Sequence, residues 1–148
     1  MIKRKIFGPV LLGLGTILLS SQVFAQSDVI EQRIKLMKAN GAASKALKAA
    51  VAEKDYATIE LKAKDIAGNM DKVDNLFPKG SMSDKSRALP AIWDKWDEFK
   101  KDEAAVKKAA TELADAAAKK DATLVDAKFK SVGGACGSCH KAFRAEKK

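Results

Sequence analysis

Residues 121–144 run DATLVDAKFKSVGGACGSCHKAFR. Val125, Phe129, Val132, Cys136, Cys139 and Phe143 recur at steps of three and four, the period of one helical face, and Asp121 stands where it can cap the first turn. Both cysteines belong to this apolar stripe. A helix with one such stripe buries it against neighbours of the same kind.

Three more stripes precede it. Ile92, Trp96, Phe99, Val106, Ala110, Leu113 and Ala117 mark a third helix, opened by Pro90, whose missing N–H is no loss in a first turn; Trp93 widens its early part. Ile59, Ala63, Ile66, Met70, Val73 and Phe77, behind a capping Asp55, mark the second and carry the cleanest period in the chain. The first runs from the acid-x-x-Glu start at Asp28-Val29-Ile30-Glu31 to about Glu53, with Val29, Leu36, Ala43, Leu47 and Val51 on its inner face. Arg33 interrupts this stripe one turn before Met37. Residues 78–89, PKGSMSDKSRAL, hold the turn formers and make the one long connection, expected to cross one end of the fold. Four amphipathic segments of roughly 20 to 30 residues, joined by short, long and short links, predict an all-α, antiparallel four-helix bundle. Lys54-Asp55 and Lys120-Asp121, each after an alanine-rich stretch, hint at a duplicated helix pair.

Lys+Arg 28 against Asp+Glu 19 gives the 148 residues a formal charge of +9, and the 47% hydrophobic fraction is enough for one core. Lys3, Arg4 and Lys5 precede a mostly apolar run at 6–19, and Val23-Phe24-Ala25 supplies a small-residue exit. These are the marks of a signal peptide, residues 1–25, cleaved after Ala25. Removing 25 residues from 148 leaves 26–148, the size of one domain, with an excess charge of about +6 once three leader cations go. The apolar run is short for a membrane span and no second run is long enough, so the mature chain is expected to be exported, to the periplasm in a Gram-negative source. An uncleaved anchor is the alternative. Nucleic-acid binding does not fit an exported chain without an aromatic-laced basic patch.

The chain's single histidine follows its second cysteine, in Cys136-Gly137-Ser138-Cys139-His140. In c-type haem attachment, two cysteines a helical turn apart add to the two vinyl groups of one porphyrin and the adjacent imidazole takes the iron. All three residues then have a task. A redox dithiol normally opens a helix after a strand, and no strand is read here. Structural zinc needs four ligands where this cluster offers three. A plain Cys136–Cys139 disulfide closes a tiny loop and leaves His140 unexplained. Gly133 and Gly134 suit a place where another surface comes close, or a helix break before Ala135.

An exported four-helix chain with Cys136-Gly-Ser-Cys139-His140-Lys-Ala-Phe-Arg144 near its C-terminus resembles the class II c-type cytochromes of the cytochrome c′ family. The likeness extends over the mature chain, through Arg33-Ile-Lys-Leu-Met37-Lys and Pro90-Ala-Ile-Trp93. It implies one covalently attached haem c, His140 as the proximal iron ligand, Arg33 near a haem propionate and Met37 over the distal face. Arg33 and Met37, four apart, share a helix face, and a cation inside an apolar stripe calls for an anionic partner.

Residues 35–41 look more like the low-spin members, in which a methionine sulfur binds the iron. The expected function is therefore a periplasmic monohaem c-type cytochrome that carries single electrons, with His140 and Met37 on the metal, and not an enzyme. The alternative is a five-coordinate cytochrome c′ that binds nitric oxide or carbon monoxide, with Met37 as a steric lid. A non-haem thiol–disulfide protein is the third. The basic surface, with Lys147-Lys148 at its tail, points to an acidic redox partner reached by charge steering. The family also implies a homodimer through helices one and two.

Overall fold

The computed structural model describes residues 18–146, with side-chain environments over 28–146. Most of the expected signal peptide, and Lys147-Lys148, lie outside that description. The helices are α1 (Leu18–Glu53), α2 (Tyr56–Met70), the single turn α3 (Ala91–Asp94), α4 (Trp96–Ala118) and α5 (Ala122–Phe143), with a 3₁₀ turn at Asp74–Leu76. No strand occurs among the described residues. α1, α2, α4 and α5 form the four-helix bundle: α2 packs between α1 and α4, and α4 packs on α5.

The four stripes meet as their spacing requires. Leu47, Ile59, Ile66, Ile92 and Leu113 are sealed completely from solvent, each at a predicted inward position. Phe99 anchors an aromatic cluster, with ring centroids 5.0 Å from Phe77, 5.4 Å from Trp96 and 5.4 Å from Phe143 in an edge-to-face contact.

Three boundaries differ from the sequence expectation. α1 begins at Leu18 rather than at Asp28, so Asp28 lies inside the helix and not at its start. α2 ends at Met70, and the chain tightens through Lys72 and Val73, whose N–H groups reach back three residues to Asn69 and Met70. Pro78 disfavours helical backbone at Phe77, which turns out at φ −123° and ψ 52° while keeping its ring buried. The third predicted helix is broken at Lys95 (φ −127°, ψ 48°). On the near side of that break Trp93 donates its Nε1–H to the Phe77 and Pro78 carbonyls at 3.0 Å each.

The two short connections are built alike. Lys54 and Lys120 both take left-handed backbone, φ 55° and 54°. Each closes a helix, with the next residue's N–H returning to a carbonyl five back, Asp55 to Ala50 at 2.9 Å and Asp121 to Ala116 at 3.2 Å. Asp55 then accepts from the Thr58 N–H at 3.1 Å and Asp121 from the Leu124 N–H at 2.9 Å, capping the following helix. The hydrogen bonds from Thr58 hold the Asp55 carboxyl below its ordinary range. Both turns lie at one end of the bundle. The long connection, 78–89, crosses the other.

Left-handed backbone costs an ordinary side chain about 1 kcal/mol and glycine nothing. Lys54→Gly and Lys120→Gly should each stabilise the protein by roughly 0.5–1 kcal/mol in urea denaturation.

Candidate functional site

At the end crossed by the long connection α1 and α5 stand apart, and a cavity of about 440 Å³ opens between them. α1 contributes Arg33, Ile34, Met37 and Gly41; α5 contributes Cys136, Cys139, His140 and Phe143; Met70, Val73, Phe77, Phe99 and Val106 supply apolar wall. The five site residues expected from sequence therefore line one cavity, although 99 to 107 positions separate the α1 pair from the α5 trio.

Cys136 and Cys139 are free thiols, half-buried on that wall. Burial raises both above the ordinary thiol range, Cys139 to about 11 with help from the Asp102 charge, so neither is a ready thiolate. A dithiol oxidoreductase needs the opposite. Burial, then the Arg144 and Arg87 charges, lowers His140, which keeps its imidazole neutral at pH 7, the form that binds metals. Two unengaged thiols one helical turn apart, a neutral imidazole beside them and an apolar slot in front fit a flat, covalently held porphyrin. No cluster of three or more His, Cys, Asp or Glu suited to a lone metal ion occurs among the described residues.

Gly133 and Gly134 do not break the helix. α5 runs through both without a break, and a Cβ at either would meet no protein atom within 4 Å.

Arg33 is 3% exposed, and its partners within the protein are neutral oxygens. Nε and Nη2 donate to the Leu76 carbonyl at 2.9 and 2.7 Å; Nη1 donates to the Ser81 carbonyl at 3.1 Å and to Ser86 Oγ at 3.2 Å; Nη2 also donates to Ser81 Oγ at 2.6 Å. Phe77 lies under the guanidinium, 3.9 Å from ring centroid to Cζ. Neutral oxygens thus satisfy the whole fork, and desolvation lowers the group to about 10, which still leaves it charged at neutral pH. The side chain binds the long connection to α1. Further along, Leu89 N–H reaches the Phe143 carbonyl at 3.0 Å and Ala145 N–H the Arg87 carbonyl at 2.8 Å, which fastens the same connection to the end of α5.

Glu103, which no sequence motif marks, lies four residues after Phe99 and three before Val106, in register with the α4 stripe. It is the one carboxylate among the cavity-lining residues. Burial first, then the hydrogen bond and the charge of Asp74, raise it to about 8. Asp74 Oδ1 is buried without a partner, which a proton carried by Glu103 would satisfy.

Arg33→Met keeps the bulk but strips the donors; it should destabilise the protein by about 3 kcal/mol or more and expose 78–89 to limited proteolysis, read by peptide mass. A carboxyl raised from 4.5 to about 8 holds, when folded, a proton that the unfolded chain releases between those values. Its contribution to stability is complete below 4.5 and lost as pH rises toward 8. Glu103→Gln should remove that decline, so the stability difference between variant and wild type grows in the variant's favour from pH 5 to 8 in denaturant titrations.

Comparison with known proteins agrees with this geometry. The family described as Cytochrome C′ matches residues 28–144. The chain is 37% identical to cytochrome c′ of Rhodopseudomonas palustris over 83% of its own length and 86% of the relative's. It is 35% identical to cytochrome c-556 of Agrobacterium fabrum over 88% and 89%. A solved cytochrome c′, described as having a ligand-controlled dimer dissociation, superposes with a TM-score of 0.76 at 29% identity, covering 82% of this chain and 97% of that one. The chain belongs to the cytochrome c′ family of class II c-type cytochromes, and its cofactor is one covalently attached haem c.

Proposed function

We propose that this protein is a five-coordinate haem c protein that binds nitric oxide or carbon monoxide beneath Met37. The observation that carries the reading is the α1 wall of the cavity, where Ile34, Met37 and Gly41 face the slot with no imidazole or thiolate among them. Likeness to proteins named cytochrome c′ over most of the chain supports it. When bound, the haem would supply an iron that takes up a diatomic gas and exchanges single electrons.

The residues of this chain do the rest. Cys136 and Cys139, a helical turn apart, are the thioether anchors, and neighbouring His140 offers a neutral imidazole as the proximal ligand. Met37 covers the other side with a flexible, polarizable side chain that yields to a small guest. Arg33 places a buried positive charge at the cavity edge, where a propionate would feel it, while its N–H groups hold the connection. The protein is a binder and carrier, not a catalyst.

Met37 as a sixth ligand is the second reading, a low-spin electron carrier. The presence of Met37, a thioether side chain, on the cavity wall favours it. In both readings residues 1–25 are a leader removed after Ala25, and the mature chain works in the periplasm. No described helix is long and apolar enough to cross a membrane. A homodimer through α1 and α2 is part of the proposal, supported by the dimer named for the solved relative.

Ferric and ferrous absorption spectra should show high-spin iron, with ready carbon monoxide binding by the ferrous form. Met37→Ala should leave the spin state alone and speed carbon monoxide binding several-fold in stopped-flow mixing. A low-spin wild type that becomes high-spin in Met37→Ala would establish the second reading instead.

A further inference from the structure

Exposed side chains that also line the cavity mark its rim, and they are all of one sign: Lys38 on α1, Lys85 and Arg87 on the long connection, and Arg144 just beyond α5. None forms an ion pair with a carboxylate among the described residues, whereas all seven described ion pairs draw their lysines from α2, α5 and the segment opening and forming α4. Glu103, the cavity's one carboxylate, is held largely protonated at neutral pH. A haem brings two propionates, so four rim cations with buried Arg33 behind them retain a positive excess even if both propionates sit among them.

The rim is also pre-set. An isolated bridge pairs Ala88 with Arg144, and Arg87 Nη1 donates to the Ala145 carbonyl at 3.3 Å. Arg144 N–H donates to the His140 carbonyl at 3.1 Å. Two of the four cations are therefore mounted on backbone fastened directly to the segment that carries the proposed iron ligand.

We propose that Lys38, Lys85, Arg87 and Arg144 form the docking face for an acidic electron-transfer protein that exchanges single electrons with the haem across this rim. The proposal rests on the haem reading above and holds under either coordination, because carbon monoxide binds ferrous iron and a ferrous iron needs an electron donor. Charge complementarity selects the partner: carboxylates on its surface are drawn to an uncompensated cationic ring, raising the encounter rate most at low salt. The transfer moves one electron between the iron and the partner's redox centre, with no proton moved and no bond made.

Stopped-flow oxidation of the ferrous holoprotein by two small oxidants tests this: hexacyanoferrate(III), an anion standing in for the acidic partner, and tris(phenanthroline)cobalt(III), a cation. Each takes one electron and leaves ferric protein. In Lys85→Glu/Arg87→Glu the rate with the anion should fall about tenfold at low ionic strength and the rate with the cation should rise, both differences shrinking in 1 M salt. Lys85→Gln/Arg87→Gln should show a smaller change of the same sign. Lys48→Glu/Lys119→Glu, the same charge change away from the cavity, should leave both rates within about twofold.

Unchanged rates, or rates with both oxidants moving in the same direction as a shifted driving force would make them, would overturn the docking face. Equal effects from the distant pair would reduce it to net charge and overturn it too. A protein that shows no haem spectrum before mixing would instead sink the haem reading itself.

Discussion

The bundle is organised around a space it does not fill. α1 and α5 pack little against one another, and a slot of about 440 Å³ with a mostly apolar wall and a charged rim is the result. A protein interior is otherwise close-packed, and an unfilled apolar slot forfeits dispersion contacts along its whole lining. A flat apolar cofactor restores them. Arg33 maintains the shape on one side by tying the long connection to α1, and the backbone bonds of Leu89 and Ala145 maintain it on the other. The connection closes the end of the slot without collapsing into it.

The same arrangement explains why the site residues come from opposite ends of the chain. An antiparallel bundle brings the early part of α1 beside the late part of α5, so Arg33 and Met37 meet Cys136, Cys139 and His140 at one level. The aromatic cluster around Phe99 forms the inner wall, and Glu103 introduces one titratable group into it. The electrostatic asymmetry follows: a neutral imidazole and neutral thiols inside, and cations at the rim.

Much of this was legible in the sequence. The stripes of Ile59 to Phe77 and of Phe99 to Ala117 located the core because helical periodicity and burial are the same constraint read twice, and Cys136-x-x-Cys139-His140 located the cofactor because few other chemistries employ all three residues. What escaped was non-local. The protein partners of Arg33 lie 43 to 53 residues away, at Leu76 and in a connection without periodicity, where no sequence pattern marks them as its acceptors. The Lys95 break and the early end of α2 depend on Trp93, Pro78 and the aromatic cluster acting together. Gly133 and Gly134 do not mark a helix break, because α5 continues through them, and Glu103 stands in register with the α4 stripe on a highly charged helix, where nothing local shows its burial beside Asp74.

Assignment of the haem to Cys136 and Cys139 is the claim beneath all the others. Tandem mass spectrometry of a proteolytic peptide containing both cysteines, prepared from protein matured with active haem-attachment machinery, tests it most directly. The account predicts one haem mass on that peptide and no alkylation at either sulfur. A peptide of unmodified mass with both thiols open to alkylation would contradict it.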